Sequence, residues 1–246
     1  MRAIVLCAGR GQRLRPWTDD RPKCLLEVGG RTILARCLAA LRAAGLEDIL
    51  LVTGYRSEMV EAEARRSGTA GLRFVSNPAY EDTNTAVSLR IALTVSPGLD
   101  GLQINGDVVF DGTLLDDLLR HPGTNVVVMD DTSRLASEEV KVAARDGRVV
   151  RIGKHLAPAE CLGEAIGLNK IGAATAADLV RVFEDFEARG ERSHYFESGF
   201  DRLAAEGEDG RNAFGLIATG GRPWIEIDTP EDYENARRRI APLLCD

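Results

Sequence analysis

No segment of this 246-residue chain carries the run of apolar residues needed to cross a membrane. The opening stretch, Ala3 to Ala8, meets glycine after six residues, which is also too short for a signal-peptide core. An excess of positive charge is missing too: 31 Lys and Arg stand against 38 Asp and Glu, a formal net charge of −7. That balance argues against coating nucleic acid or an anionic membrane, although a local basic patch can still bind a small polyanion. Aromatic residues make up only 5% of the chain, so a full aromatic cage for a ligand is not assumed. The five cysteines (Cys7, Cys24, Cys37, Cys161 and Cys245) are odd in number and scattered, and they form neither a CxxC pair nor a zinc-type Cys/His spacing. Reduced thiols in a cytoplasmic protein are the expectation. Histidine is scarce, and His121, His155 and His194 are read as structural or surface residues.

What the chain has is enough apolar residue, 44%, to fill a core, arranged in alternating short runs. Ala3–Cys7 is a continuous apolar run with β-branched residues, the pattern of a buried parallel strand, and Ile49–Thr53 repeats it. Between them Thr32 is placed to cap a helix whose apolar positions, Ile33, Leu34, Cys37, Leu38 and Leu41, recur at helical spacing before Gly45. The alternation continues through a helix at about 57–66, a strand at 72–75, a helix at about 85–93, a strand at 102–105, a helix near 114–120 and a strand at 126–129. This predicts an α/β fold: a mostly parallel mixed sheet with helices on both faces. Asp146-Gly147 between two apolar runs signals a hairpin, and 132–172 is read as a small antiparallel insertion or edge. A long amphipathic helix carries Leu179, Val182, Phe183 and Phe186, and the stretch from Gly207 to Gly221 reads as loop with one short strand. A strand at 224–227 follows, then a helix opened by Thr229-Pro230-Glu231-Asp232, with Thr229 and Asp232 forming a capping box. One domain, 1–246, is expected, with a nucleotide-binding half (1–131) and an acceptor-binding half (132–246).

Chemistry concentrates after the first strand, in Leu6-Cys7-Ala8-Gly9-Arg10-Gly11-Gln12-Arg13-Leu14-Arg15-Pro16, followed by Pro22-Lys23. Glycines there let backbone N–H groups approach a phosphate or a base edge without interference from a Cβ. A Rossmann fingerprint does not fit, because Leu14 stands where the third glycine belongs, and a Walker loop is absent. Four cations, Arg10, Arg13, Arg15 and Lys23, gathered beside flexible backbone in an acidic protein, suit a triphosphate. Taken alone, Gly-x-Gly equally describes an ordinary strand-to-helix turn flanked by solvated arginines.

The whole string is more specific. It resembles the signature of the sugar-phosphate nucleotidyltransferase superfamily, Leu-x-Ala-Gly-x-Gly-x-Arg-Leu-x-Pro-x-Thr with Pro-Lys close behind, read here at Leu6, Ala8, Gly9, Gly11, Arg13, Leu14, Pro16, Thr18 and Pro22-Lys23. The resemblance implies a Rossmann-like, GT-A-like nucleotidyltransferase fold. It also implies catalytic roles for Arg13, on the β- and γ-phosphates, and for Lys23, on the α-phosphate under attack. Leu6, Ala8, Gly9, Gly11 and Gly106 are then expected at the nucleotide.

Asn105-Gly106-Asp107 ends a strand at the carboxyl edge of the sheet, where ligands of open α/β sheets bind. Capping of the next turn is the other reading of such an aspartate. Near the C-terminus, Glu226 and Asp228 lie two apart in a strand, on one face, where they repel unless a cation lies beside them. By resemblance Asp107 and Asp228 hold Mg²⁺, whereas Glu226 stands where the family has aspartate, so that it either ligates the ion or faces the acceptor.

Asn77-Pro78 followed by Asn84 and Ser88-Leu89 is similar to a segment of phosphocholine, aminoethylphosphonate and inositol-phosphate cytidylyltransferases. Asn84 and Ser88 can meet the donor and acceptor edge of a pyrimidine, and Ser88 can equally be a plain helix residue. Lys154 matches a family lysine that contacts the acceptor or the α-phosphate, or is a solvated loop lysine. Glu164, Glu197 and Glu226 can receive an acceptor ammonium, and Tyr195, Phe196 and Trp224 a quaternary amine. The expectation is CMP transfer from CTP to a small phosphorylated or phosphonylated acceptor, releasing pyrophosphate, in a protein that can form a homodimer. The rivals are a hexose-1-phosphate uridylyl-, guanylyl- or adenylyltransferase and a non-catalytic nucleotide-binding module.

Overall fold

The computed structural model describes residues 1–132, 134–206, 210 and 212–244; Gly207 and Cys245 fall outside that set. In chain order the strands and helices are β1 (Arg2–Cys7), β2 (Glu27–Val28), β3 (Arg31–Thr32), α1 (Ile33–Ala43), β4 (Ile49–Thr53), α2 (Ser57–Arg66), β5 (Leu72–Ser76), α3 (Thr85–Thr94), β6 (Gly101–Asn105), β7 (Val108–Phe110), α4 (Thr113–Arg120), β8 (Val126–Asp130), β9 (Lys141–Arg145), β10 (Arg148–Gly153), β11 (Gly163–Ile171), α5 (Ala173–Ala188), α6 (Glu197–Glu206), β12 (Gly215–Ala218), β13 (Trp224–Glu226) and α7 (Pro230–Asn235). The local signals act as their chemistry dictates. Thr32 Oγ1 accepts from the N–H of Ala35 at 3.0 Å, and Gly45 leaves the helix at a φ of 77°. At α7, Thr229 and Asp232 exchange both hydrogen bonds of a capping box around Pro230.

Among the described residues the main sheet has nine strands in the order β5-β4-β1-β6-β11-β8-β12-β10-β9. β5, β4, β1 and β6 are parallel, as βαβ units require, and β8 and β12 are parallel to each other. The β9–β10 hairpin turns through Asp146 and Gly147, both at positive φ, and stands last in that order, with β9 also pairing antiparallel with β11. β11 departs from the edge reading of 132–172. It runs antiparallel between β6 and β8 inside the sheet, with a register shift between Ala165 and Asn169. Because β1 buries both faces, its successive side chains feed opposite layers. Ala3, Val5 and Cys7 pack with α1 and α4, while Ile4 and Leu6 pack with α3 and α5.

A third cluster joins distant parts of the chain: Leu14, Leu26, Val28 and Ile33 pack against Val109, Ile227, Tyr233 and Ala236. Tyr233 also donates its hydroxyl to the Glu27 carbonyl at 3.1 Å. This cluster seats the C-terminal segment over the glycine-loop segment, at the carboxyl rim of β1 and β6. No helix among the described residues is long and apolar enough to cross a membrane.

Candidate active site

The backbone of Gly11 has a φ of 68°, a conformation that an L residue adopts only at a cost. A Cβ there would lie 2.9 Å from the Cβ of Lys23, so glycine at this position is what lets Lys23 rise beneath the loop. Thr18 Oγ1 donates to the Gly11 carbonyl at 2.7 Å, and Leu14, fully buried, anchors the following turn in the third apolar cluster. Gly11→Ala is expected to lower stability by about 1–2 kcal/mol from backbone conformation alone and to raise KM for the nucleotide. Thermal melting and steady-state kinetics check this; unchanged values would detach the turn from the site.

The carboxylates reach the same place by a different route. Asp107 follows β6, and β7 then pairs antiparallel with β13, setting Val108 opposite Glu226. The N–H of Ile227 donates to the Asp107 carbonyl at 3.0 Å, and the N–H of Asp228 to Asp232 Oδ2 at 3.1 Å. As a result, carboxylate oxygens of Asp107, Glu226 and Asp228 lie within 4.8 Å of one another, although β13 ends at Glu226 and Asp228 lies just beyond it. Into this cluster comes Lys23, whose Nζ is 2.7 Å from Asp107 Oδ2 and also bonds Asp228 Oδ1. Arg13 Nη2 sits 2.5 Å from Asp228 Oδ2.

Burial works against the charge on Lys23, but the surrounding Asp107, Asp228 and Glu226 carboxylates outweigh it and hold its pKa above the ordinary lysine value. The same contest runs in the other direction at Asp228. Burial raises its pKa, yet the charge and hydrogen bond of Lys23, with Arg13 behind, leave it below the usual value. Glu226 loses that contest: burial and the neighbouring Asp107 and Asp228 push it up to about 8. The Lys23 side chain is only 11% exposed whereas Arg13 is 59% exposed. The Arg13 pair therefore contributes at most about 1 kcal/mol to stability, and Arg13 remains available to a ligand. Asp107 Oδ1 is buried and has no hydrogen-bond partner among the described residues.

These groups share a cavity of about 720 Å³. Of the positions expected from sequence, Leu6, Gly9, Gly11, Arg13, Lys23, Asn84, Gly106, Asp107, Lys154, Glu164, Tyr195, Glu197, Glu226 and Asp228 all line it. Two do not. Ala8 is buried, and its carbonyl accepts from the N–H of Tyr55 at 3.0 Å. Ser88 is also buried and accepts from Asn77 Nδ2 at 3.1 Å, which makes it an internal support of the 77–88 segment instead of a wall of the cavity. Asn84 caps α3 by accepting from the N–H of Thr85 at 2.8 Å. Of the four cations near the glycines, Arg15 turns away to Asp19, and Arg10 lies 5.2 Å over the Tyr55 ring. Neither lines the cavity.

Sequence reasoning missed Gln12, Thr85, Asn105, Glu138 and Glu139 as cavity residues. Asn105 was within reach, since it directly precedes Gly106-Asp107. Its side-chain Oδ1 accepts from Gln103 Nε2, and Gln103 Oε1 in turn accepts from Asn169 Nδ2. Glu138 and Glu139 lie in an irregular loop, where no periodicity marks which residues face a ligand. At this end of the cavity Lys154 Nζ stands 5.0 Å over the Tyr195 ring. Glu164 is pushed up to about 7 by burial and by Glu139 and Asp130, and burial raises Glu197 to about 7.

Residues 3–190 match the MobA-like NTP transferase domain. Over 98% of its length the chain is 30% identical to the CMP-5'-(3-aminopropyl)phosphonate synthase of Streptomyces rubellomurinus, and over 97% it is 33% identical to the bifunctional IPC transferase and DIPP synthase of Rubrobacter xylanophilus. The chain spans 39% and 51% of the length of those two proteins. In fold it is similar to the inositol-1-phosphate CTP transferase from T. maritima, at 21% identity and a TM-score of 0.80, with 100% of this chain and 98% of that one covered. The matched domain stops short of Glu226 and Asp228, so the acidic cluster is completed by residues outside it. With more than half of the chain matched, and an α/β sheet shared from end to end with a solved nucleotidyltransferase, this chain belongs to the MobA-like NTP transferase family.

Proposed function

We propose that this protein transfers CMP from CTP to a small phosphorylated or phosphonylated acceptor and releases pyrophosphate. The observation that carries the reading is the meeting of two loop cations, Arg13 and Lys23, with Asp107 and Asp228 in one cavity. Binding a nucleotide does not require paired carboxylates opposite the phosphate-binding cations; phosphoryl chemistry does. The choice of CTP rests on the likeness to a relative whose product name carries CMP and on Asn84 at the cavity wall.

In the reaction an oxygen of the acceptor's ionised phosphate or phosphonate attacks the α-phosphorus of CTP in line. A new P–O bond forms, and the bond to the β-phosphate breaks, its electron pair leaving with pyrophosphate. The attacking oxygen is already anionic, so no side chain has to remove a proton, and the three histidines lie outside the cavity. Lys23 neutralises charge growing on the α-phosphate and Arg13 that on the departing phosphates. The Gly9–Gly11 backbone holds the triphosphate against them.

The acidic cluster fits a divalent cation: hard oxygen donors converge there, and the Asp107 oxygen without a partner is the kind of buried group an ion satisfies. Asp107 and Asp228 would hold Mg²⁺, which when bound offsets negative charge on the reacting phosphates. With those carboxylates engaged, the Lys23 and Arg13 side chains are free for the nucleotide.

The test is pyrophosphate release with each of the four NTPs against aminoalkyl phosphonates, phosphocholine, inositol phosphate and hexose 1-phosphates. Turnover with CTP at least about tenfold above the other nucleotides is expected. Preference for UTP, GTP or ATP with a hexose 1-phosphate favours the sugar-nucleotide alternative, and release with none of them favours a binding module.

A further inference from the structure

The carboxylates of the cavity are of two kinds. Asp107 and Asp228 are matched by Lys23 and Arg13, whereas Glu197, at the N-terminus of α6, has no cation in salt-bridge contact among the described residues. Glu197 is 6% exposed, lines the cavity, and its Oε2 is buried with no hydrogen-bond partner among the described residues. A buried acceptor atom without a partner is costly and is explained when a ligand completes it.

Glu197 also borders a second cavity of about 670 Å³, which shares Val140, Lys154 and Tyr195 with the first. It thus stands where the acceptor end of the site opens into further space. The one lysine nearby, Lys154, is stationed over the Tyr195 ring. A phosphate held by Lys154 and an ammonium held by Glu197 are the complementary ends of one short zwitterion.

Resting on the CMP-transfer reading above, we propose that Glu197 is the specificity-determining residue for the acceptor, and that the acceptor is an aminoalkyl phosphate or phosphonate whose N–H-bearing ammonium donates to Glu197 Oε2. A quaternary ammonium has no N–H to give, so it leaves that oxygen unsatisfied. Of the rings along the cavity that it could use instead, Tyr195, Phe196 and Trp224, Tyr195 is already faced by Lys154. A neutral hydroxyl can donate one hydrogen bond but leaves the buried carboxylate charge without a counterion. The shift of Glu197 to about 7 fits this: a carboxyl whose charge is disfavoured by burial gains most from an arriving cation.

The experiment compares three acceptors of nearly the same skeleton with CTP: 2-aminoethylphosphonate, its N,N,N-trimethyl analogue and ethylphosphonate. Expected is a kcat/KM for the primary amine about tenfold or more above the trimethyl compound and about a hundredfold above ethylphosphonate. Glu197→Gln is expected to shrink the amine-to-ethyl ratio about tenfold or more, and isothermal titration of the same three compounds to the CTP-loaded protein should follow the same order. Because the order among acceptors is read on the unaltered protein first, a variant that fails to fold leaves the comparison intact. Equal turnover of the three acceptors, or a preference for the trimethyl compound, overturns the assignment to Glu197 while keeping CMP transfer. No pyrophosphate with any acceptor removes the transfer reading and this inference with it.

Discussion

Lys23→Ala should lower kcat by about two orders of magnitude or more, the size of effect seen when one preorganised charge is removed from a transition state. The substitution also changes the resting site in a way that can be measured without turnover. In the intact protein the Lys23 ammonium lies between Asp107 and Asp228 and holds the pKa of Asp228 down. Without it two carboxylates face each other, with Glu226 beside them, and their repulsion is relieved only by protons or by an added cation. The alanine variant should therefore melt lower than the parent in chelator and gain more from added Mg²⁺, because the ion no longer competes with an ammonium. Near-normal turnover, or an Mg²⁺ response equal to that of the parent, would show that Lys23 is an ordinary buried ion pair.

Asp107→Asn is the second substitution with a large expected effect, again about two orders of magnitude or more in kcat with the fold retained. Asparagine keeps the size of the side chain but removes the charge, and Asp107 combines a 2.7 Å contact to Lys23 with a buried oxygen that has no partner. If a divalent ion completes that oxygen, the variant needs far more Mg²⁺ to reach half-maximal rate, and treatment with chelator abolishes the remaining activity. A variant with unaltered metal dependence would move the ion away from Asp107. Comparison with Asp228→Asn separates the two carboxylates, since Asp228 also bears the Arg13 contact.

The contrast between these residues and Ser88 shows what a linear sequence makes legible. Arg13 and Lys23 stand ten positions apart within one short string, so the string alone keeps them near each other. Asp228 precedes the capping box of α7, and the local chemistry of that box fixes where it sits. Ser88 offered the same donor and acceptor as a base-reading residue, but which face of α3 is buried depends on Asn77, eleven positions earlier and in another segment. Likewise β11 reads as an edge because a strand's neighbours are not written in it. Its place between β6 and β8 arises from pairings to residues more than thirty positions away. The short β7–β13 ladder, which sets Val108 opposite Glu226 and so brings Asp107 beside it, joins segments over a hundred residues apart and leaves no periodic trace in strands of three residues. Glu138 and Glu139 did not announce a place at the cavity, since irregular loops lack a repeating pattern.

The last strand to enter the nine-stranded sheet, β12, ends at Ala218, whereas the acidic cluster waits for Asp228 and the α7 cap that holds it. A chain that stopped at Ala218 would thus hold every strand of the main sheet yet lack Glu226 and Asp228, together with Ile227, Tyr233 and Ala236, which pack against the glycine-loop segment. The residues that complete the charged corner and those that seat it on the sheet are the same short stretch of chain.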